Sequence, residues 1–245
     1  MRAFIQTNRY GDFYNVNAFV ANEGFVTLGW ETIKYHTVDD ITDDEPETVI
    51  VGGIGNVRKR LQRFGIGKPQ VEIDYPIELQ SFLGRRVWAS TAAEVLQDET
   101  MRNIFIKPQK ETKKFVGKLV REQRDFIGII DPVEPVPVWC SDPVQFVTEW
   151  RCFVRYGELW DVRQYKGRWD SKIDLDIVQQ AIAAFTQAPH AYAMDFGIDD
   201  KGSMKLVECN DGHSLGTYGI DGVKYAKFLA ARWAQMTGTT DYARF

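Results

Sequence analysis

Three oxygen-bearing side chains late in the chain, Asp195, Glu208 and Asn210, carry the strongest chemical signal. Tyr192, Met194, Phe196 and Ile198 alternate along one side of a strand, which puts Asp195 on the other. Residues 203–209 read as its hairpin partner across Asp199–Gly202. Strict alternation groups Met204, Leu206, Glu208 and Asn210 on one face, with Glu208 and Asn210 roughly 7 Å apart along the strand. If Asp195 faces them, three hard oxygen donors converge, a set suited to Mg²⁺ or Mn²⁺ with phosphate or water as the remaining ligands. Glu208 lies among Leu206, Val207 and Cys209, where an unpaired carboxylate is costly, so it calls for a cation. A metal ion fills that role. So does a lysine such as Lys205, although parity turns Lys205 away.

Cationic side chains form the second signal. Lys107 ends the apolar stretch Asn103–Lys107 and needs an anion, either a triphosphate or an acidic side chain. In 146–155, Phe146, Thr148, Trp150, Cys152 and Val154 share one face, and Val147, Glu149, Arg151, Phe153 and Arg155 the other. Opposite charges at Glu149 and Arg151 suit a polar ligand in a cleft, or a surface ion pair worth ~0–1 kcal/mol. Arg163 and Lys166 fall on opposite faces by alternation. They reach one site only if the strand ends or bulges near Tyr165. His36, His190 and His213 have no metal-ligand spacing, although His213 follows Asn210-Asp-Gly in a loop beside the acidic trio. No G-x-S-x-G, H-E-x-x-H or Walker A pattern occurs.

The ordered series Ile104-Phe-Ile-Lys-Pro108, Lys114-Phe-Val-Gly117, Glu149-Trp-Arg-Cys-Phe153, Arg163 to Gly167, Met194-Asp-Phe-Gly197 and Val207-Glu-Cys-Asn210 resembles the ATP-grasp superfamily. It looks most like the clade named for two arginines and one lysine. The likeness covers about residues 100–220. It implies an α+β fold: an ATP-grasp domain over 96–245, with lobes at about 96–137 and 138–245, preceded by a small α/β domain over 1–95. It also implies that Lys107 and Lys114 hold the phosphates of ATP. Val138, Trp139 and Cys140 would form the interlobe hinge that offers backbone groups to adenine, with Glu149 next to the nucleotide. Arg151, Arg163 and Lys166 would be the signature cations that stabilise the transferred phosphoryl group. Asp195, Glu208 and Asn210 would ligate one or two Mg²⁺. The activity implied is ATP-dependent joining of a small-molecule or peptide carboxylate to an amine through an acyl phosphate. One departure stands out: Pro-Gln-Lys-Glu-Thr after Lys107 holds no glycine, unlike the glycine-rich flap of better-known members. A phosphotransferase without an amine step, and a non-catalytic module binding nucleotide or nucleic acid, are the competing readings.

Composition frames these expectations. At about 150 residues per domain, 245 residues make one large or two small domains. Hydrophobic residues at 44% and charged residues at 26% argue against disorder. No apolar run is long enough for a membrane helix, and the N-terminus lacks an apolar signal core. Cys140, Cys152 and Cys209 are too few and too scattered for a disulfide framework, so a cytoplasmic protein is expected. The net charge of −4 is uneven, because residues 101–124 hold eight basic side chains against two acidic ones. That cluster attracts polyanions or forms a solvated face. Aromatic residues do not alternate with it, which argues against a nucleic-acid platform. No motif speaks to the oligomeric state.

The positioning elements follow from periodicity and turn chemistry. Strands are expected at Ala3–Thr7, Phe25–Leu28, Thr48–Val51, Val87–Ala89, Asn103–Lys107, Lys113–Val120, Phe126–Ile130, Phe146–Arg155, Glu158–Tyr165, Tyr192–Ile198 and Ser203–Cys209. Helices are expected at Asn56–Phe64, Ser90–Gln97, Asp174–Gln187 and Tyr218–Met236, with Ser90 and Glu94 as an approximate capping box. Gly52-Gly-Ile-Gly55 is either a phosphate-holding turn or a tight strand-to-helix connection. Asp39–Glu47 reads as an acidic loop, and Asp131–Pro137 as an extended connector.

Overall fold

The computed structural model describes residues 1–67, 73–109, 115–127 and 136–245. Strands β1 (Arg2–Gln6), β2 (Glu31–Tyr35) and β3 (Val49–Val51) form a parallel sheet in the order β2-β1-β3. Parallel neighbours require a crossover, and helix α1 (Val16–Thr27) supplies the one between β1 and β2. Asn15 caps it, its side chain accepting the Ala18 N–H. The strand expected over Phe25–Leu28 is instead the last turn of α1 and its C-cap. This helix buries Ala18, Ala21 and Phe25 yet exposes Val16, Phe19 and Val26, so apolar residues occupy both sides and the helical period is lost.

Helix α2 (Ile54–Arg63) follows β3. A Cβ on Gly52 would lie 2.3 Å from the Tyr35 hydroxyl and 2.6 Å from Gln6 Oε1, so packing demands glycine there. Gln6 Oε1 accepts the Gly53 N–H at 2.7 Å. The tight connection accounts for Gly52, while Gly53 is the N-cap of α2 with a Cβ position no closer than 3.7 Å to Gln6 Oε1.

A second, antiparallel sheet has the order β4-β7-β5-β6: β4 (Val87–Thr91), β7 (Pro137–Ser141), β5 (Ile104–Pro108) and β6 (Lys118–Val120). Ile104, Ile106, Val138 and Cys140 pack on Ala92 and Val95 of helix α3 (Ala92–Gln97). The true N-cap of α3 is Thr91, one residue beyond Ser90, in a reciprocal box with Glu94. Ser90 Oγ also donates to Glu94, at 2.7 Å. Gln123–Phe126 forms a 3₁₀ turn where the strand 126–130 was expected to begin. Residues 128–130 of that expectation, Lys113 and Lys114 of another, and 131–135 of the connector lie outside the described residues.

The third sheet, β11-β10-β8-β9, is built from two hairpins: β8 (Phe146–Arg155) with β9 (Glu158–Lys166), and β10 (Ala191–Asp199) with β11 (Met204–Asp211). Tyr156 and Gly157 turn the first with φ of 51° and 75°, the left-handed pair of a tight hairpin turn. One face, with Cys152, Val154, Tyr192, Met194 and Phe196, packs on helix α4 (Leu175–Ala184). On the other, Phe153, Ala191 and Ala193 share a core with helix α5 (Gly222–Thr237), α1 and the parallel sheet. β8 is therefore buried on both faces along most of its length. Only the end bearing Glu149 and Arg151 is left for a ligand. No helix among the described residues is long and apolar enough to cross a membrane.

Candidate active site

Two β-bulges aim the charged side chains. In β8–β9, Glu149 pairs with Lys166 and Trp150 with Gln164, so Tyr165 is the extra residue. The bulge puts Lys166 beside Glu149 and Arg163 beside Arg151 on one face, the arrangement that the sequence made conditional on an irregularity at Tyr165. In β10–β11, Asp195 pairs with Glu208 and Phe196 with Leu206, which leaves Val207 extra. Strict alternation had placed Leu206 with Glu208. The structure corrects this: Leu206 is buried beside Phe196, while Glu208 and Asn210 turn to the side of Asp195. Arg85 donates to the Leu206 and Val207 carbonyls at 2.7 Å each, satisfying acceptors at the bulge.

The face so formed is a network of ion pairs. Arg151 grips Asp195 through two bonds of 2.8 and 2.7 Å, both side chains buried. Lys166 donates to Glu149 at 2.6 Å, and the Tyr165 hydroxyl donates to the same carboxylate at 2.8 Å. Arg163 meets Asp161 at 2.7 Å. Asn210 Nδ2 lies 3.2 Å from Glu208 Oε1 and 3.5 Å from Asp195 Oδ2. The partner of Glu208 is Lys107, which reaches across from β5 at 2.5 Å; Lys205 pairs with Asp199 instead. Lys107 also lies 3.9 Å from Asp74 and over the Tyr75 ring.

These contacts set the protonation states. Burial pushes the Asp195 carboxyl up to about 6 against the pull of Arg151. Burial also acts to raise Glu208, but the Lys107 ammonium outweighs it and holds the carboxyl below its ordinary value. Burial works against the charge on Lys107, yet Glu208, Tyr75 and Asp74 keep it firmly protonated.

Lys107, Arg151, Glu208 and Asn210 line a cleft of about 1320 Å³. Its other walls come from Phe115–Gly117, from the loop His213–Gly219, and from Val16, Asn17, Ile54 and Arg58 beside the parallel sheet. Ser214 and Tyr218 in that loop have φ of 57° and 49°. Tyr218 stacks over Arg151 at 4.1 Å. His213 Nδ1 lies 2.7 Å from Asp211 Oδ1, and His213 lines the same cleft as Glu208 and Asn210. Asp74, Tyr75, Tyr218 and Arg85 were missed by sequence reasoning. No local pattern marks them, because tertiary folding alone brings residues 74 and 75 against Lys107.

The hinge expectation needs correction. Val138, Trp139 and Cys140 lie inside β7, a central strand paired with both β4 and β5, so ladder bonds occupy its backbone. Val138 and Cys140 point into the core of that sheet. The chain crosses between the two antiparallel sheets only at residues 142–145. Trp139 neighbours Lys107 on the opposite face and donates to Asp74 at 3.1 Å. Of the described members of the basic cluster 101–124, only Lys107 lines the cleft. Arg102 binds carbonyls near the end of α3, Lys118 the Asp125 carbonyl and Arg124 Glu122. Lys114 lies outside the described residues.

Among the described residues no three His, Cys, Asp or Glu side chains converge into a metal cluster. The trio offers two carboxylates and a carboxamide, a donor set that fits Mg²⁺ when phosphate and water complete the shell. Asn210 now turns its amide nitrogen inward, so ligation requires a flip of that group.

A family model described as ATP-grasp domain, R2K clade family 2, matches residues 82–228. No curated protein matches the sequence. Solved structures share the fold at low identity. The ATP-grasp ligase PsnB, complexed with a minimal precursor, has a TM-score of 0.55 at 12% identity, covering 96% of this chain and 99% of that one. The Bacillus anthracis D-alanine–D-alanine ligase complexed with ATP has a TM-score of 0.58 at 11% identity, covering 97% of each chain. The Staphylococcus aureus N5-carboxyaminoimidazole synthetase complexed with ADP has a TM-score of 0.59 at 11% identity, covering 98% of this chain and 77% of that one. With two antiparallel sheets facing each other across charged strands, and a family model over more than half of its length, the chain belongs to the R2K clade of ATP-grasp domains, family 2.

Proposed function

We propose that the protein is an ATP-dependent carboxylate–amine ligase that works through an acyl phosphate and releases ADP and phosphate. The observation that carries this reading is the meeting of Asp195, Glu208 and Asn210 on one sheet with Lys107 from the facing sheet, at a cleft of about 1320 Å³. The ligases among the structural neighbours, complexed with ATP or ADP, support the substrate class.

Lys107 and Arg151 are each neutralised by a carboxylate, Glu208 and Asp195, that Mg-ATP would claim. Lys107, with Lys114, exchanges Glu208 for phosphate oxygens, and Arg151 shares Asp195 with the incoming charge. Asp195, Glu208 and Asn210 would hold Mg²⁺, which would supply positive charge to offset the charge developing on the phosphates. Mn²⁺ suits the same donors. Trp139, on the Lys107 side of its sheet, flanks the base, and Glu149 borders the nucleotide from the other sheet. The substrate carboxylate oxygen attacks the γ-phosphorus and the bond to ADP breaks. Charge then spreads over the phosphoryl oxygens, so positioned cations matter more than an acid or base. Arg151, Arg163 and Lys166 supply them. The amine nitrogen next attacks the acyl carbon, the C–O bond to phosphate breaks, and the nitrogen loses its proton. Three free, buried cysteines fit a reducing, cytoplasmic setting.

Hydroxylamine tests the proposal. With Mg-ATP and a panel of carboxylic acids, including peptides, at least one acid should give a hydroxamate together with ADP. A phosphorylated product with no hydroxamate from any acid would mark a phosphotransferase. Salt-sensitive binding without turnover would mark a non-catalytic module.

A further inference from the structure

We infer that Arg58 holds a carboxylate of one of the two acceptor substrates, a group that is not consumed, and that this substrate is an amino acid or peptide with an apolar side chain. The inference deepens the ligase reading and rests on it.

Helix α2 carries four basic side chains, and three of them face the acidic loop. Lys59 and Arg63 meet Asp39 at 2.5 and 3.1 Å, and Arg60 lies 3.9 and 3.8 Å from Asp43 and Asp44. Arg58 points the other way, into the cleft. It has no hydrogen bond or ion pair among the described residues, and its Nε is out of reach of solvent with no acceptor. The other cations lining the cleft among those residues, Lys107 and Arg151, are both held by carboxylates. A half-buried guanidinium without an acceptor is unsatisfied, and a planar anion fits its fork of donors. Asn17 lines the same cleft. Its Oδ1 accepts the Thr217 N–H at 3.0 Å, which leaves its amide N–H groups as further donors.

The surroundings choose the class of anion. Val16, Val20, Ile54 and Leu215 line the same cleft as Arg58, and Val16 is 65% exposed. One cation amid aliphatic side chains balances the single charge of a carboxylate. A phosphate dianion carries a second charge that one guanidinium leaves uncompensated. The aliphatic wall suits a hydrocarbon side chain beside the carboxylate. The proposed phosphate-binding residues Lys107 and Arg151 come from the two antiparallel sheets and Arg58 from α2, and the cleft exceeds the roughly 300–1,000 Å³ of an ordinary small-molecule pocket, leaving room for a second molecule.

Calorimetric titration of the full chain with Mg-ADP present tests this. The probes are L-leucine, L-valine, L-phenylalanine and Leu-Leu, each against its C-terminal amide, with phenyl phosphate as the competing anion. At least one free acid should bind tenfold or more tightly than its amide. Arg58→Gln should bring that ratio close to one, and Arg58→Lys should leave it in between. The inference is overturned if no acid is preferred over its amide, if Arg58→Gln keeps the wild-type preference, or if phenyl phosphate binds more tightly than every acid. Wild-type protein that binds Mg-ADP without preferring any acid leaves the ligase reading standing. Failure to bind Mg-ADP at all would count against that reading instead.

Discussion

Lys107 and Arg151, which line the cleft, are each stabilised by a carboxylate that the proposed chemistry needs to reassign. Arg151 and Asp195 form a buried bidentate pair, so removing one partner leaves the other uncompensated. Arg151→Met should destabilise the protein by about 3–5 kcal/mol in urea unfolding. Replacing Asp195 by Leu in the same chain should recover much of that loss. A single variant as stable as wild type would show that the pair is not desolvated. Lys107→Ala should weaken ATP binding by about tenfold to a hundredfold, the worth of a charge-assisted bond of roughly 1.5–3 kcal/mol. Equilibrium binding of a fluorescent ATP analogue checks this, and unchanged affinity would remove Lys107 from the nucleotide. At this scale the residue types were legible, since Asp195, Glu208, Asn210, Arg151, Arg163 and Lys166 do share one face. Their partners were less so. Lys107 was expected to need an anion, but that Glu208 supplies it depends on two sheets meeting across 101 residues of chain.

Strands and turns were readable where alternation or capping chemistry was strong. β8 spans the expected residues 146–155, and Asp174 caps α4 at the expected start. Alternation failed at Val207, because a bulge shifts the register by one residue without any glycine to announce it. α1 was misread because its apolar residues surround the helix. The β10–β11 turn allows a pH test. Lys205, together with the N–H groups of Ser203 and Lys201, holds the Asp199 carboxyl below its ordinary value. A depressed native value means the stabilisation is complete above the unfolded-chain value of about 3.9 and fades as pH falls through the native one. Asp199→Asn should therefore lower the unfolding midpoint at pH 7, with a deficit that shrinks below about pH 4. A deficit that stays constant into acid would contradict this origin.

Over the whole molecule, α5 ties the parallel sheet to the four-stranded sheet of the site, because Phe228, Tyr225 and Trp233 are buried in a core shared with Phe4, Phe25 and Phe153. Phe153 and Phe228 meet edge to face at 5.4 Å. Phe228→Ala should cost about 3–5 kcal/mol. Far-ultraviolet circular dichroism and tryptophan fluorescence should report the same shifted transition, whereas separate transitions would mean that the two sheets unfold independently. The two-lobed α+β architecture was visible in the ordered motifs. The composition of the cleft was not, since its walls come from every part of the chain, from Val16 to Gly219. The most direct measurement is a calorimetric titration of the wild type and of Asn210→Ala with a non-hydrolysable ATP analogue, with and without Mg²⁺. Tight binding by the wild type only when Mg²⁺ is present, lost in a variant that melts at the wild-type temperature, is the expected result; equal binding without Mg²⁺, or undiminished binding by Asn210→Ala, would contradict the assignment of Asp195, Glu208 and Asn210 as the metal-holding face.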